Sequence, residues 1–398
     1  MNREDFPLLK QDIIYFDSAS TTLKPQVVIN KITEYYESYS ANAHRGDYDI
    51  SLKVSQEYEA ARAIVKTFIN AKDQSEIIFT SGTTESINMI VDGFFKQYLN
   101  QNDEIIVAKS EHASNLLPWF RLATTLNCQI KYVELDSDYQ ISLANLKKVI
   151  SPKTKVIALA QITNVIGDIR PIKEICQLAK ANNIYMVVDA AQSIPHIKVD
   201  VQDLDCDFLA FSGHKMGGPT GIGILYSKKE LLDACQPIKL GGGMNESFDT
   251  ENDIILKELP SRLEAGTQNI EGAIGLGAAI TYLNQIGMDK IANYEHELRV
   301  YLIDALKNIA HIKLINPNSQ GSIVAFNIEG IFSQDVACYL NKYHICLRAG
   351  NHCAKMLKDV IGTTNTCRIS LYFYNTKAEI DLLVSLLKDK NKILKEML

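Results

Sequence analysis

The chain has 398 residues, 46% of them hydrophobic, with 41 basic and 47 acidic side chains spread along it for a formal charge of -6. That length exceeds what one hydrophobic core usually organises, so two domains are expected, and the apolar content excludes a disordered chain. No basic stripe suits a phosphate backbone and no apolar run reaches the roughly 20 residues a bilayer requires, so neither nucleic acid nor a membrane is an expected partner.

The opening Met-Asn-Arg-Glu-Asp-Phe-Pro lacks the charged and apolar regions of a secretion signal, and a cytoplasmic location is the expectation. From about residue 75 to 226, short apolar strands alternate with helical stretches. Strands are expected at 76–80, 103–108, 129–134, 155–160, 184–189, 208–211 and 222–226, with a helix over 86–98. This rhythm predicts an α/β fold with a mainly parallel sheet, whose ligands lie beyond the carboxyl ends of the strands. After Glu264-Ala-Gly-Thr-Gln-Asn269 come a small-residue helix (272–283), a polar helical stretch (289–309) and a strand at 322–328, which predict a smaller α+β domain. We place the large domain at 16–285 and the small one at 286–398, with the segment 1–15 packing on the latter.

Polar residues gather at the expected strand ends. Ser81-Gly-Thr-Thr-Glu85 opens a helix, so its amides and hydroxyls suit a phosphate; the same pattern also reads as a plain Thr-x-x-Glu capping box. His112 follows the next strand, where an imidazole can stack on an aromatic ring and move protons, although a lone loop histidine is more often simply exposed.

The strand ending at Asp189 is followed by Ala-Ala-Gln192, and Asp207-Phe-Leu-Ala-Phe-Ser-Gly-His-Lys215 runs into the glycine-rich turn 216–223. A lysine amine forms a Schiff base with an aldehyde, and a carboxylate beside a pyridine nitrogen keeps that ring an electron sink. Singly, Asp189 reads as a helix cap and Lys215 as a solvated loop cation; their combination points to a pyridoxal phosphate site.

Arg348 and Arg368 offer bidentate forks for a substrate carboxylate, or an interdomain ion pair. The eight cysteines, at 128, 176, 206, 235, 338, 346, 353 and 367, contain no C-x-x-C pair, and neither a disulfide framework nor a metal site is expected. Cys353 stands out in Arg348-Ala-Gly-Asn-His-Cys-Ala-Lys355, beside His352 and two cations that favour a thiolate. Cys338 and Cys346, in apolar runs, read as packing.

These residues carry a resemblance. Tyr15-Phe-Asp-Ser-Ala-Ser-Thr-Thr-Leu-Lys-Pro25, Asn42-Ala-His-Arg-Gly46, Phe79-Thr-Ser-Gly-Thr-Thr-Glu85, Glu111-His112, Thr163-Asn-Val-Ile-Gly167, Val188-Asp-Ala-Ala-Gln192, Ser212-Gly-His-Lys215, Glu264-Ala-Gly-Thr267, the Cys353 segment and Cys367-Arg-Ile-Ser370 are nearly collinear with one family. The chain resembles the SUF-type (group II) pyridoxal-phosphate cysteine desulfurases and selenocysteine lyases, within the class V aminotransferases of fold type I.

The resemblance implies that Lys215 carries the cofactor as a Schiff base, Asp189 holds the pyridinium nitrogen, Gln192 approaches the ring hydroxyl and His112 stacks over the ring. It implies phosphate contacts from Thr83, Thr84, Ser212 and His214, with Thr267 reaching across from a second subunit of a homodimer. Asn164, Arg348 and Arg368 would orient L-cysteine, and His44 and Arg45 of the other subunit would help line the pocket. Cys353 would take the sulfur as a persulfide, release alanine, and pass the sulfur to an acceptor protein for iron–sulfur cluster assembly.

Three positions depart from the common pattern of these relatives: Ala113, Asn351 and Gly217. Gln334 stands where relatives served by a zinc-bearing U-type acceptor carry a histidine, which favours an E-type or a direct acceptor. A selenocysteine lyase, transamination or epimerisation on the same cofactor is the first rival reading, and a non-catalytic sulfur-relay scaffold is the rival from another class.

Overall fold

The computed structural model describes residues 3–397; residues 1 and 2 of the amino-terminal segment, and residue 398 of the expected small domain, lie outside the described residues. Strand β1 (Ile14–Tyr15) precedes seven strands that build one sheet: β2 (Ile77–Thr80), β3 (Glu104–Ala108), β4 (Gln129–Val133), β5 (Thr154–Ala160), β6 (Tyr185–Asp189), β7 (Phe208–Ser212) and β8 (Gly223–Ser227). Their spatial order is β2-β8-β7-β6-β5-β3-β4. Strands β4, β3, β5, β6 and β7 are parallel, and β8 opposes both of its neighbours, so the sheet is mixed but mainly parallel. Strands β2, β3, β7 and β8 are buried at every residue, as strands covered by helices on both faces must be, while the edge strand β4 is partly exposed and carries Lys131.

A hairpin, β9 (Asn245–Phe248) with β10 (Ile254–Leu256), precedes the long helices Ile270–Ile286 and Met288–Leu306. Strands β11 (Ile312–Leu314), β12 (Ile323–Ile328), β13 (Ile345–Cys346), β14 (Arg348–Gly350) and β15 (Thr366–Ser370) follow. Four of these form an antiparallel sheet in the order β11-β12-β15-β14, and β13 pairs in parallel with β1. Phe6 packs edge-on against Phe373 and Tyr374 and also against Tyr282, so the amino-terminal segment touches both the late chain and the helix Ile270–Ile286. Among the described residues no helix is long and apolar enough to cross a membrane.

Two expectations need correction. The helix expected over 86–98 begins earlier, as Thr83–Ile90, and then widens into a π-helical turn at Val91–Phe95 before closing at Lys96–Tyr98. The Gly93 carbonyl there accepts the Gln236 amide at 2.9 Å and the Gln97 side chain at 2.7 Å, which accounts for the opened turn. Cys338 is exposed, not packed. On the helix Ser333–Asn341 the buried stripe is Val336, Tyr339 and Leu340, and position 338 falls outside that i, i+3, i+4 set. Cys346 is half-buried in β13, as its apolar run suggests.

Candidate active site

The carboxyl ends of the neighbouring strands β3, β5, β6 and β7, that of β2 on the far side of β8, and the β14 and β15 region of the small sheet enclose a cavity of about 180 Å³. Its floor comes from β6 and β7. Asp189 ends β6, 4% exposed, and its Oδ1 accepts the Ala191 amide at 2.9 Å. Gln192 follows, donating to the Ala19 carbonyl at 2.8 Å, while its own Oε1 is buried without a partner. Beyond β7 a single tight turn, Gly213–Lys215, brings Lys215 into the cavity. That turn is held by its His214 carbonyl, which accepts from the Thr22 amide at 3.0 Å, the Thr21 hydroxyl at 3.0 Å and the half-buried Lys24 ammonium at 2.9 Å.

The second wall suits an anion. Thr83 and Thr84 begin the helix Thr83–Ile90, whose amino end concentrates unpaired amides and positive dipole. The cap is Gly82, with no side-chain cap bond, so the capping-box reading fails; Glu85 reaches back instead to the Ser81 amide at 2.6 Å. The Ser212 hydroxyl accepts the Thr83 amide at 2.8 Å and lies 2.8 Å from the Thr83 hydroxyl. Thr84 pairs with Ser114 at 2.7 Å, and His214 lines the same cavity. Gly82 has φ 149°, and a Cβ there would stand 3.1 Å from the Ser212 hydroxyl, so glycine keeps this cradle open.

The third wall carries cations. Arg368 lies buried on β15, donating to the Asn164 carbonyl at 2.9 Å and pairing with Asp17 at 3.0 Å, while its Nε has no partner. It therefore makes an ion pair and also lines the cavity. Arg348, its register partner on β14, donates to the Ser20 hydroxyl. Asn164 donates through Nδ2 to the His352 carbonyl at 2.8 Å.

Burial sets the charge states. It pushes the Asp189 carboxyl up to about 6 against the opposing pull of Lys215, and pushes the Lys215 amine down. Among the described residues Lys215 has no hydrogen-bond or ion-pair partner, which leaves its amine available. Burial, with Lys215 and other nearby cations, lowers His112 to about 4 and His214 to about 4. His352 falls to about 3 by burial and the nearby Arg368, so all three imidazoles are neutral at pH 7.

Cys353 is exposed and lines the cavity, and it is among the groups that act electrostatically on Lys215. His352 and Cys353 are consecutive left-handed residues, with φ 51° and 58°, a conformation that costs about 1–2 kcal/mol each outside glycine. His352 itself brings no positive charge to Cys353: its ring is buried and neutral, with Nε2 3.0 Å from the Thr366 carbonyl.

Three expected residues lie elsewhere. His44 and Arg45 line a separate surface cleft, where His44 meets Glu59 at 3.2 Å and Arg45 lies against Gly242 and Gly243. Thr267 accepts from Asn42 at 3.3 Å and lines another cleft with Ser81 and Glu85. The sequence reading passed over Arg170, which is fully buried and bridges Glu111, the Ala160 carbonyl (3.0 Å) and Ser110 (2.8 Å). Glu111 in turn accepts the Ala160 amide at 2.8 Å, so the pair ties the end of β5 to the segment after β3 that leads into His112. An arginine two residues after Asp168, in an otherwise apolar stretch, was the available signal.

The aminotransferase class-V family model matches residues 14–383. A probable cysteine desulfurase of Halalkalibacterium halodurans is 44% identical over 383 residues, which span 95% of this chain and 94% of that protein. A cysteine desulfurase structure from Thermococcus onnurineus NA1 superposes with a TM-score of 0.94 at 37% identity, covering 99% of this chain and 97% of the other. The Escherichia coli cysteine desulfurase CsdA gives 0.93 at 36% identity, covering 100% and 98%.

Proposed function

Because the chain belongs to the aminotransferase class-V family, we propose that it is a cysteine desulfurase that uses pyridoxal 5′-phosphate to convert L-cysteine to L-alanine, with the sulfur passing to Cys353. The observation that carries this reading is that Lys215, Arg368 and Cys353 open onto one cavity. The donor set fits the cofactor: a half-buried lysine with no partner among the described residues for its aldehyde, the unpartnered Gln192 Oε1 for its ring hydroxyl, and a helix amino end with three hydroxyls for its phosphate. Lys215, Asp189, Gln192, His112, Thr83, Thr84, Ser212 and His214 would hold it. When bound, it supplies an aldehyde that links to amines and a ring that withdraws electrons from the substrate α-carbon.

The chain's own groups divide the remaining work. Arg368 and Arg348 hold the substrate carboxylate, and Asp17 keeps Arg368 in place. Lys215, its amine pushed by burial toward the neutral form, removes the α-proton and returns one later. The Cys353 sulfur attacks the substrate sulfur: an S–S bond forms, the substrate C–S bond breaks, its electron pair passes to the carbon side, and a proton completes alanine. The sum, Cys353 thiol plus L-cysteine to Cys353 persulfide plus L-alanine, balances without an external oxidant.

We further propose a cytoplasmic homodimer in which His44, Arg45 and Thr267 of one copy complete the other's cavity. Their absence from the chain's own cavity supports this. The sulfur then goes to an acceptor protein for iron–sulfur assembly. Gln334, beside Gly350 in the segment that leads to Cys353, favours an E-type or direct acceptor over a zinc-bearing U-type one.

Sulfide and alanine release from L-cysteine, measured for the wild type and Cys353→Ala, tests the central reading. Stoichiometric alanine and a persulfide mapped to Cys353 are expected; equal sulfide release from both proteins would reject Cys353 as the acceptor.

A further inference from the structure

The backbone of Cys353 is gripped from outside its own loop at two consecutive carbonyls. Asn164 Nδ2 donates to the His352 carbonyl at 2.8 Å, and the Ala113 amide donates to the Cys353 carbonyl at 2.8 Å. Within the loop, the Cys353 amide donates to Asn351 Oδ1 at 3.2 Å. The two outside donors come from different strand ends. Asn164 follows β5 and presents its own carbonyl to Arg368, while Ala113 directly follows His112. The gripped residues occupy the left-handed region, which side chains with a Cβ rarely adopt unaided, so an external restraint is what such a loop requires.

Asn164 has a second feature that a purely structural amide would not need. It is 7% exposed and lines the cavity, yet its Oδ1 is buried without a partner. One N–H is spent on the loop, and the same side chain stands beside the arginine that faces the substrate carboxylate.

We propose that Asn164 is a positioning residue for Cys353: together with the Ala113 amide it forms a two-point clamp that holds the sulfur-accepting loop turned into the cavity. The clamp decides how Cys353 divides its time between the bound substrate and an external thiol or electrophile. Weakening it lets the already exposed Cys353 meet outside reagents more often and slows acceptance of sulfur from within. The second effect rests on the desulfurase reading; the first is a property of the resting protein and does not.

The test uses the cofactor-loaded full-length protein without substrate. Iodoacetamide labelling of Cys353 is followed by peptide mass spectrometry, with the exposed Cys338 as internal reference. Asn164→Ala removes one donor. Ala113→Pro removes the other without touching the cavity, and it suits the backbone: His112 is already extended (φ -66°, ψ 148°), as a residue before proline must be, and Ala113 opens a helical turn.

Loss of one such bond is expected to raise the Cys353/Cys338 labelling ratio about 5-fold in each variant. Single-turnover persulfide formation should fall by a similar factor. An unchanged labelling ratio in either variant that still takes up cofactor overturns the clamp, and leaves Asn164 a substrate ligand alone. If Asn164→Ala does not fold, the Ala113→Pro ratio decides. Absence of persulfide in the wild type would reject the desulfurase reading, while the labelling ratio would still judge the clamp.

Discussion

Arg348 and Arg368 are register partners on the adjacent antiparallel strands β14 and β15, so two guanidinium groups share one wall of the cavity. Like charges directly opposite on a sheet repel. Asp17 pairs with Arg368 at 3.0 Å, whereas among the described residues the Arg348 side chain is tied only to the neutral Ser20 hydroxyl, and burial together with Arg348 lowers the Arg368 pKa. The wall carries more positive than negative charge and so suits an anion, which in the proposed reaction is the substrate carboxylate.

Arg368→Met therefore removes the buried member of the pair proposed to receive the carboxylate. Two charge-assisted hydrogen bonds of about 1.5 kcal/mol each predict a fall in kcat/KM on L-cysteine of about 100-fold. Most of it should appear as a higher KM. Arg368→Lys keeps the charge but loses the fork, and should recover only part. Steady-state kinetics decide, and an unchanged KM in Arg368→Met would place the carboxylate elsewhere.

Lys215→Ala should cost about 1,000-fold or more in turnover, because the proposed mechanism uses one amine both as the cofactor's anchor and as the proton carrier at the α-carbon. Added methylamine should restore a fraction of the rate with cofactor-loaded variant. Full activity without any amine would remove Lys215 from the chemistry.

The site was legible in the sequence wherever one residue type at a strand end suffices for its chemistry. Asp189 and Lys215 needed only two buried strands ending beside one another, and the alternation of apolar runs supplied that. The Cys338 reading failed because an apolar neighbourhood in sequence does not say which helical face a residue takes. Arg170 was missed for a related reason. Its role depends on Glu111, some 59 positions away in sequence, and on a carbonyl at the end of β5, and local pattern carries no trace of either. The clamp on Cys353 was equally hidden, since one of its donors is a backbone amide that any residue but proline provides.

Gly82→Ala tests the anion cradle. Its φ of 149° is nearly closed to residues with a Cβ, and the added carbon would stand 3.1 Å from the Ser212 hydroxyl. The helix start and the Thr83–Ser212 pair should both shift, and cofactor affinity should fall about 10-fold or more, as expected when a charge-assisted contact is disturbed. A fluorescence titration of cofactor-free protein gives the number directly; an unaltered dissociation constant would mean that the phosphate does not sit at this helix end.

His352→Gln tests the neutral imidazole beneath Cys353 through the pH dependence of stability. Burial and Arg368 hold His352 at about 3 in the folded protein against 6.5 as the ordinary value. Between those limits the unfolded chain binds a proton that the folded chain refuses, so stability rises with pH there. The contribution of neutral His352 is therefore complete above pH 6.5 and is lost as pH falls towards 3. At about 1.4 kcal/mol per pH unit, the wild type should forfeit about 2 kcal/mol of it by about pH 5. Asp189, raised to about 6, acts with the opposite sign but is present in both proteins and cancels in the difference. The stability gap between wild type and variant, from urea unfolding, should accordingly narrow by about 2 kcal/mol between about pH 7.5 and about pH 5. A gap that stays constant would mean that the imidazole accepts a proton in the folded state as readily as in the unfolded one, and that the Thr366 contact holds it in its charged form.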